Sequence, residues 1–217
     1  MIKAVLFDFD GVLVDSYKYH LQAWKFVLEP LGIRVQPQEV FLNEGQPVMG
    51  IARNLLKRTG RHFSDAEIRE LVERKNRHFQ AHNRARFIEG IPEFLRDLKQ
   101  KNIKIALVTG TLRKNIASVL SPQQMRLFDV IVAEEDSPRG KPYPDPYLIA
   151  AQKLGVPPDE CVVVENAPLG IQAAKSAGMR CIALTTTLPS QYLQEADAIF
   201  PNVAELRQHF PQFYLKG

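Results

Sequence analysis

Two aspartates, Asp8 and Asp10, follow the apolar run Ala4-Val5-Leu6-Phe7 at a spacing of two residues. A strand sends alternate side chains to opposite faces, so both carboxylates fall on one side, and Gly11 permits a tight turn directly after them. Like charges held side by side are costly unless a cation lies between them or one carboxyl stays protonated. The chemistry open to such a pair is metal-assisted, with one carboxylate free to attack and the other to move a proton. Two solvated aspartates in a turn share the same spelling, so the pair alone does not decide between them.

What must position the pair is a sheet. Residues 104–108, 130–133, 161–164 and 181–184 are short apolar runs rich in β-branched side chains, the pattern of buried parallel strands, and 198–200 fits an edge strand. Helical spacing appears between them at 92–101, 112–120, 146–154 and 169–177, with Gly155 and Gly178 where helix ends favour glycine. This alternation predicts an α/β fold with a doubly wound parallel sheet. Residues 16–85 break it. Trp24, Val27 and Leu28, then Ile51, Leu55 and Leu56, then Ile68, Leu71, Val72 and Lys75 recur at helical spacing. They predict three or four helices inserted after the first strand. The expected organisation is an α/β core of 1–15 and 86–217 and a helical cap of 16–85, hinged near 15–16 and 85–90.

In such sheets ligands bind beyond the carboxyl ends of the strands, and three later strands end in groups with chemistry. Thr109-Gly110-Thr111 offers hydroxyls and backbone N–H groups suited to phosphate oxygens. Glu134-Glu135-Asp136 leads to Lys141, set between Gly140 and Pro142, and Glu165-Asn166-Ala167-Pro168 opens a helix. Singly, Thr109 reads equally as a helix cap, Lys141 as a solvated lysine and Glu165 as a helix-terminal charge. Jointly, four strand ends carrying carboxylates, hydroxyls, an ammonium and an amide are hard to explain by structure alone.

With these four segments in this order, the chain resembles the phosphatase and phosphomutase branch of the haloacid dehalogenase superfamily. The segments are Asp8-Phe9-Asp10-Gly11-Val12-Leu13-Val14-Asp15-Ser16, Thr109, Gly140-Lys141-Pro142-Tyr143-Pro144-Asp145, and 164–179. The resemblance implies an α/β core with an inserted helical cap, Asp8 as nucleophile and Asp10 as general acid and base. It further implies Thr109 and Lys141 as phosphate holders, and Mg2+ bound by Asp8, the Asp10 backbone carbonyl, Glu165 and Asn166. Asn166 departs from the aspartate frequent in the family, and a neutral amide should weaken the metal site or throw it onto Glu165. Gly110, Thr111, His20 and Gly45 are the expected substrate contacts, and Glu44, Gln46, Arg53 and the 84–86 region the further cap and hinge positions of interest.

Asp15, His20, Ala23 and Trp24 resemble the first cap helix of β-phosphoglucomutases, yet residues 45–50 carry no basic side chain to grip a second phosphate. The expected function is therefore a magnesium-dependent phosphomonoester hydrolase of a small phosphorylated metabolite, a sugar, polyol or glycolate phosphate. A β-phosphoglucomutase-like isomerase and a non-catalytic phosphometabolite-binding protein are the alternatives. Dehalogenation fits poorly, since Asp10 and the Gly-Lys-Pro segment suit phosphoryl transfer.

Composition bounds these readings. The 217 residues are 45% hydrophobic and 24% charged, those of an ordinary globular protein. No apolar stretch approaches the roughly 18 residues of a membrane span, and the start runs directly into a strand without room for a signal peptide. A cytoplasmic protein with no membrane partner is expected. Cys161 and Cys181 each open an apolar run, as buried reduced thiols do. The net charge of +4 is concentrated in 16–85, where 12 lysines and arginines face 7 acids, against 16 and 17 elsewhere. That surplus would draw an anionic substrate or simply solvate helix surfaces. It accompanies no nucleic-acid module, and the sequence leaves the choice between monomer and homo-oligomer open.

Overall fold

A computed structural model describes residues 1–215. Six parallel strands form one sheet: β1 (Ala4–Phe7), β2 (Lys104–Val108), β3 (Val130–Val132), β4 (Cys161–Glu165), β5 (Arg180–Leu184) and β6 (Ala198–Phe200), in the order β3-β2-β1-β4-β5-β6. β1 is central, with Phe7 opposite Leu107 on one side and Val164 on the other. The order reverses at β1, so the crevice beyond its carboxyl end is the switch point where such sheets bind ligands.

Both faces of the sheet are covered, which explains the unbroken apolar runs. On one face Val5, Phe7, Ile105, Leu107, Val162 and Val164 pack against Phe94, Leu95 and Leu98 of α5 (Ile91–Gln100) and Leu206 of α10 (Val203–His209). Phe7 and Phe94 meet edge to face with centroids 5.7 Å apart, a favoured aromatic geometry. On the other face the smaller Ala4, Ala106, Cys161, Cys181 and Ala183 admit α8 (Asp145–Leu154) and α9 (Pro168–Ser176). Both cysteines are buried and free, as the sequence predicts.

Four helices follow the first strand: α1 (Tyr17–Leu28), α2 (Pro37–Phe41), α3 (Val48–Lys57) and α4 (Asp65–His82). Trp24, Val27, Leu28, Val40, Leu55 and Leu71 form their own apolar cluster, joined from the core by Leu188. α4 starts at a capping box in which Ser64 and Glu67 satisfy each other's backbone N–H groups. The two crossings into this cap are tied together: Asp15 N–H donates to Arg86 O at 3.0 Å, Arg86 N–H to the Asp15 carboxylate at 2.8 Å, and Ile88 N–H to Leu13 O at 2.9 Å. The remaining helices are α6 (Arg113–Val119), α7 (Pro122–Met125) and α11 (Pro211–Leu215). Among the described residues no helix is long and apolar enough to cross a membrane.

Candidate active site

β1 ends at Phe7, one residue before the first aspartate. Asp8 still follows the ladder, its N–H donating to Val164 O at 2.9 Å, but Asp10 lies in a tight turn. Strand alternation therefore does not place it, which corrects the sequence expectation. The turn does: Gly11 at φ +87° donates to Val14 O at 2.8 Å, and Leu13 and Val14 donate back to Phe9 O. A side chain at Gly11 would also collide with Asn166, so this glycine serves both the turn and the site. Asp8 and Asp10 line the same cavity.

Lys141 is the floor of the site. Its ammonium donates to Asp8 Oδ1 and Glu165 Oε1, both at 2.6 Å, and to Val108 O at 3.3 Å. It is 1% exposed and stands behind Asp8 rather than in the cavity wall. Tyr147 donates to the same Glu165 oxygen at 2.7 Å, while Asn166 and Ala167 N–H groups donate to the other at 2.9 and 3.2 Å. Glu165, an expected metal ligand, thus has both carboxylate oxygens engaged in hydrogen bonds. Burial pushes Asp8 up to about 8, with Glu165 and Asp10 adding and Lys141 opposing. For Lys141 burial works against the charge, but the two carboxylates outweigh it and keep it an ammonium.

Asp10 is held differently. Ser16 and His20 donate to Oδ1, the latter at 3.0 Å, and Thr111 donates to Oδ2 at 2.6 Å. Burial opposes its charge, yet His20 and these hydrogen bonds prevail and bring it down to about 2. On its far side His20 meets the Lys75 ammonium, 2.8 Å from Nδ1. A lysine there can only donate, so Nδ1 accepts and Nε2–H points at Asp10. Burial and Lys75 together hold His20 below its usual pKa, which keeps it neutral at pH 7. His20 stacks on Phe79 at 4.0 Å, and Lys75 lies 5.3 Å over Trp24.

Of the expected substrate contacts, Gly45, Gly110, Thr111 and His20 line the cavity with Thr109, whose hydroxyl accepts from Thr111 N–H at 3.0 Å. Glu44 and Gln46 line it as well. Arg53 instead pairs with Asp65 on the surface, and Arg84 donates to Asn83 O. Ser16, Lys75, Asn76, Asn115 and Tyr147 are not among the site residues expected from the sequence. Lys75 alone left a signal, a lysine at a buried position of the α4 apolar stripe.

Asp8, Asp10, Glu44 and Glu165 here face two ammonium groups, Lys75 and Lys141. Asn166 Oδ1 and Glu44 Oε1 are buried without a hydrogen-bond partner. Bare acceptors in an acidic, oxygen-rich pocket fit a hard divalent cation. Among the described residues no three acidic, His or Cys side chains converge as a finished cage, so the donor set is mixed: carboxylate, amide and main chain.

Residues 5–184 match the sequence profile of the haloacid dehalogenase-like hydrolases. The chain belongs to that family. It is 31% identical over 210 residues to validoxylamine A 7'-phosphate phosphatase of Streptomyces hygroscopicus subsp. limoneus, covering 95% of this chain and 97% of that one. It is 34% identical over 197 residues to β-phosphoglucomutase of Bacillus subtilis, covering 84% and 83%. The crystal structure of β-phosphoglucomutase from Clostridium difficile superposes with a TM-score of 0.85 at 26% identity, over 98% of this chain and 96% of that chain. The α/β core with an inserted helical cap is the architecture of these haloacid dehalogenase-like enzymes, and the family generally uses a divalent metal.

Within that family the Lys75–His20–Asp10 line carries an expected pH dependence. Burial lowers Lys75 to about 8, against the pull of Asp10, Glu134 and Glu44. As pH rises through that value its bond to His20 loses charge assistance, so kcat/KM should fall above about pH 8. Lys75→Met should flatten that limb and lower kcat about tenfold to a hundredfold through misplacement of Asp10. A pH–rate profile with the same limb in the variant would refute this.

Proposed function

We propose that the protein is a magnesium-dependent phosphomonoester hydrolase of a small phosphorylated metabolite, a sugar, polyol or glycolate phosphate, working through a phosphoryl group carried on Asp8. The observation that supports this most is Asp8 pinned through one oxygen by Lys141 at 2.6 Å, in the cavity where three side chains hold Asp10. In its carboxylate form, which positive charge in the pocket favours, Asp8 has Oδ1 fixed, and its second oxygen attacks phosphorus in line while the bond to the leaving oxygen breaks. Asp10 protonates that oxygen. An arriving phosphate dianion opposes the Asp10 charge and raises its pKa, which supplies the acid form. Having given up its proton, Asp10 takes one from the water that cleaves the aspartyl phosphate, so one residue serves both halves. Thr109 and the Gly110 and Thr111 backbone offer donors for the phosphoryl oxygens, and Lys141 offsets their charge from behind Asp8.

Asp8, the Asp10 main-chain carbonyl and Asn166 would hold magnesium, with Glu165 sharing its charge with Lys141. Bound there, magnesium supplies positive charge to the phosphoryl oxygens and fixes them for in-line transfer.

Among the described residues lining the cavity, Lys75 is the one lysine or arginine, and it is committed to His20. A second phosphate therefore lacks a free cationic grip, which favours water over phosphosugar rebinding as acceptor. The test is phosphate release from a panel of phosphorylated metabolites with magnesium or chelator, beside a coupled assay for glucose 6-phosphate formation from glucose 1-phosphate with bisphosphate primer. Magnesium-dependent release without isomerisation is expected. Isomerisation without release would transfer the reading to the mutase, and neither activity to a binding protein.

A further inference from the structure

Glu44 belongs to the cap, in the loop between α2 and α3, yet it is 8% exposed and its carboxylate reaches the core. There Asn166 Nδ2 donates to Oε2 at 3.3 Å, while Oε1 accepts nothing. Asn166 Oδ1, from the loop after β4, is equally bare. Two hydrogen-bonded side chains, one from the cap and one from the core, thus each keep a buried acceptor without a donor, an arrangement proteins avoid unless an ion or water completes it.

The charge count points the same way. Asn166 brings an amide to the cation pocket and no charge, and Glu165 is occupied by Lys141, Tyr147 and two backbone N–H groups. Glu44 carries the carboxylate those two do not supply. The loop is shaped for this approach. A Cβ on Gly45 would meet Lys141 Cδ at 2.8 Å, and one on Gly110 would meet Gly45 O at 2.5 Å, so only glycines let the cap backbone rest on the core here.

Building on the cation-dependent reading above, we propose that Glu44 is a cap-borne ligand of the divalent cation beside Asn166, so that cation binding fastens the cap over the core. The metal then acts as a clasp as well as a cofactor. The closed cavity, walled by Glu44 and Gln46, admits small phosphoesters and excludes bulky ones.

The test uses binding and stability rather than turnover. Magnesium and manganese are titrated by calorimetry into wild type and Glu44→Gln, with fluorescence of Trp24, the single tryptophan and a lining residue of the same cavity, as a second readout. Glu44→Gln should weaken cation binding about tenfold or more and lose the cation-induced Trp24 change. In chelator the variant should melt at or above wild type, since a buried carboxyl oxygen without a partner has gone. In saturating magnesium the order should reverse, because only wild type gains the full binding contribution. Wild-type affinity in Glu44→Gln, with one melting order in both conditions, would overturn the clasp and leave the hydrolase reading intact. Absence of cation binding by wild type would overturn both. Should Glu44→Gln not fold, Glu44→Asp, which withdraws the charge by one methylene, is held to the same criteria.

Discussion

Asp8→Asn is expected to abolish phosphate release, by about 10⁴-fold or more in kcat, while leaving the fold intact. An amide oxygen is too weak a nucleophile to form the acyl phosphate, and the nearest carboxylates are committed elsewhere: Asp10 is held by three donors and Glu165 is bound to Lys141. The stability argument separates this from unfolding. Burial lifts Asp8 to about 8 in the folded chain, well above the roughly 3.9 of an exposed aspartate. The unfolded state therefore ionises first, and ionisation of Asp8 costs stability progressively from about pH 4 to pH 8. Asparagine does not titrate, so in the absence of metal the variant should match or exceed wild type in denaturant midpoint at pH 7. Residual phosphatase activity in a well-folded Asp8→Asn, beyond a trace of deamidation, would remove Asp8 from the mechanism.

The same residues show how far sequence reaches. The strands were legible because a parallel sheet covered on both faces must be apolar throughout, and each predicted run lies on a strand of the structure. Asp8, Thr109 and Glu165 were legible because each sits just after such a run, and Lys141 because it is set between Gly140 and Pro142 in the loop that follows one. The partners of Lys75 and Glu44 were not, although Glu44 is among the cap positions of interest. Their parts depend on how the cap lies on the core, and no local pattern specifies that: Lys75 is 55 residues from His20, and Glu44 is 122 from Asn166. Asp10 was found for an incomplete reason, since alternation along β1 and the turn at Gly11 put it on the same side and only coordinates separate the two. Asn166 was read as a weakness of the metal site. Its neighbourhood gives it another meaning, as the core half of a contact whose cap half is charged.

Lys141→Met should be the most destabilising single change at the site, by about 3–5 kcal/mol at pH 7, because it leaves buried carboxylates without their counter-ion. Methionine fills the space, as its unbranched stem follows the lysine's, so the loss is electrostatic rather than a cavity. In wild type the pKa of Lys141 is raised by Asp8 and Glu165 against the pull of burial. Its contribution is therefore fully present below the ordinary lysine value near 10.4 and is lost only as pH rises through the higher folded one. In the variant Asp8 loses its opposing ammonium and rises further. Stability should consequently recover as pH falls from 7 towards 4, because across this range the folded state holds the Asp8 proton and the unfolded state does not. Urea denaturation at pH 7 and pH 5 measures both effects. If Lys141→Met lies within about 1 kcal/mol of wild type at both pH values, the two carboxylates do not depend on that lysine. A site that tolerates its absence would have to hold its charge by another route, of which the cation fastened by Glu44 is the one the geometry offers.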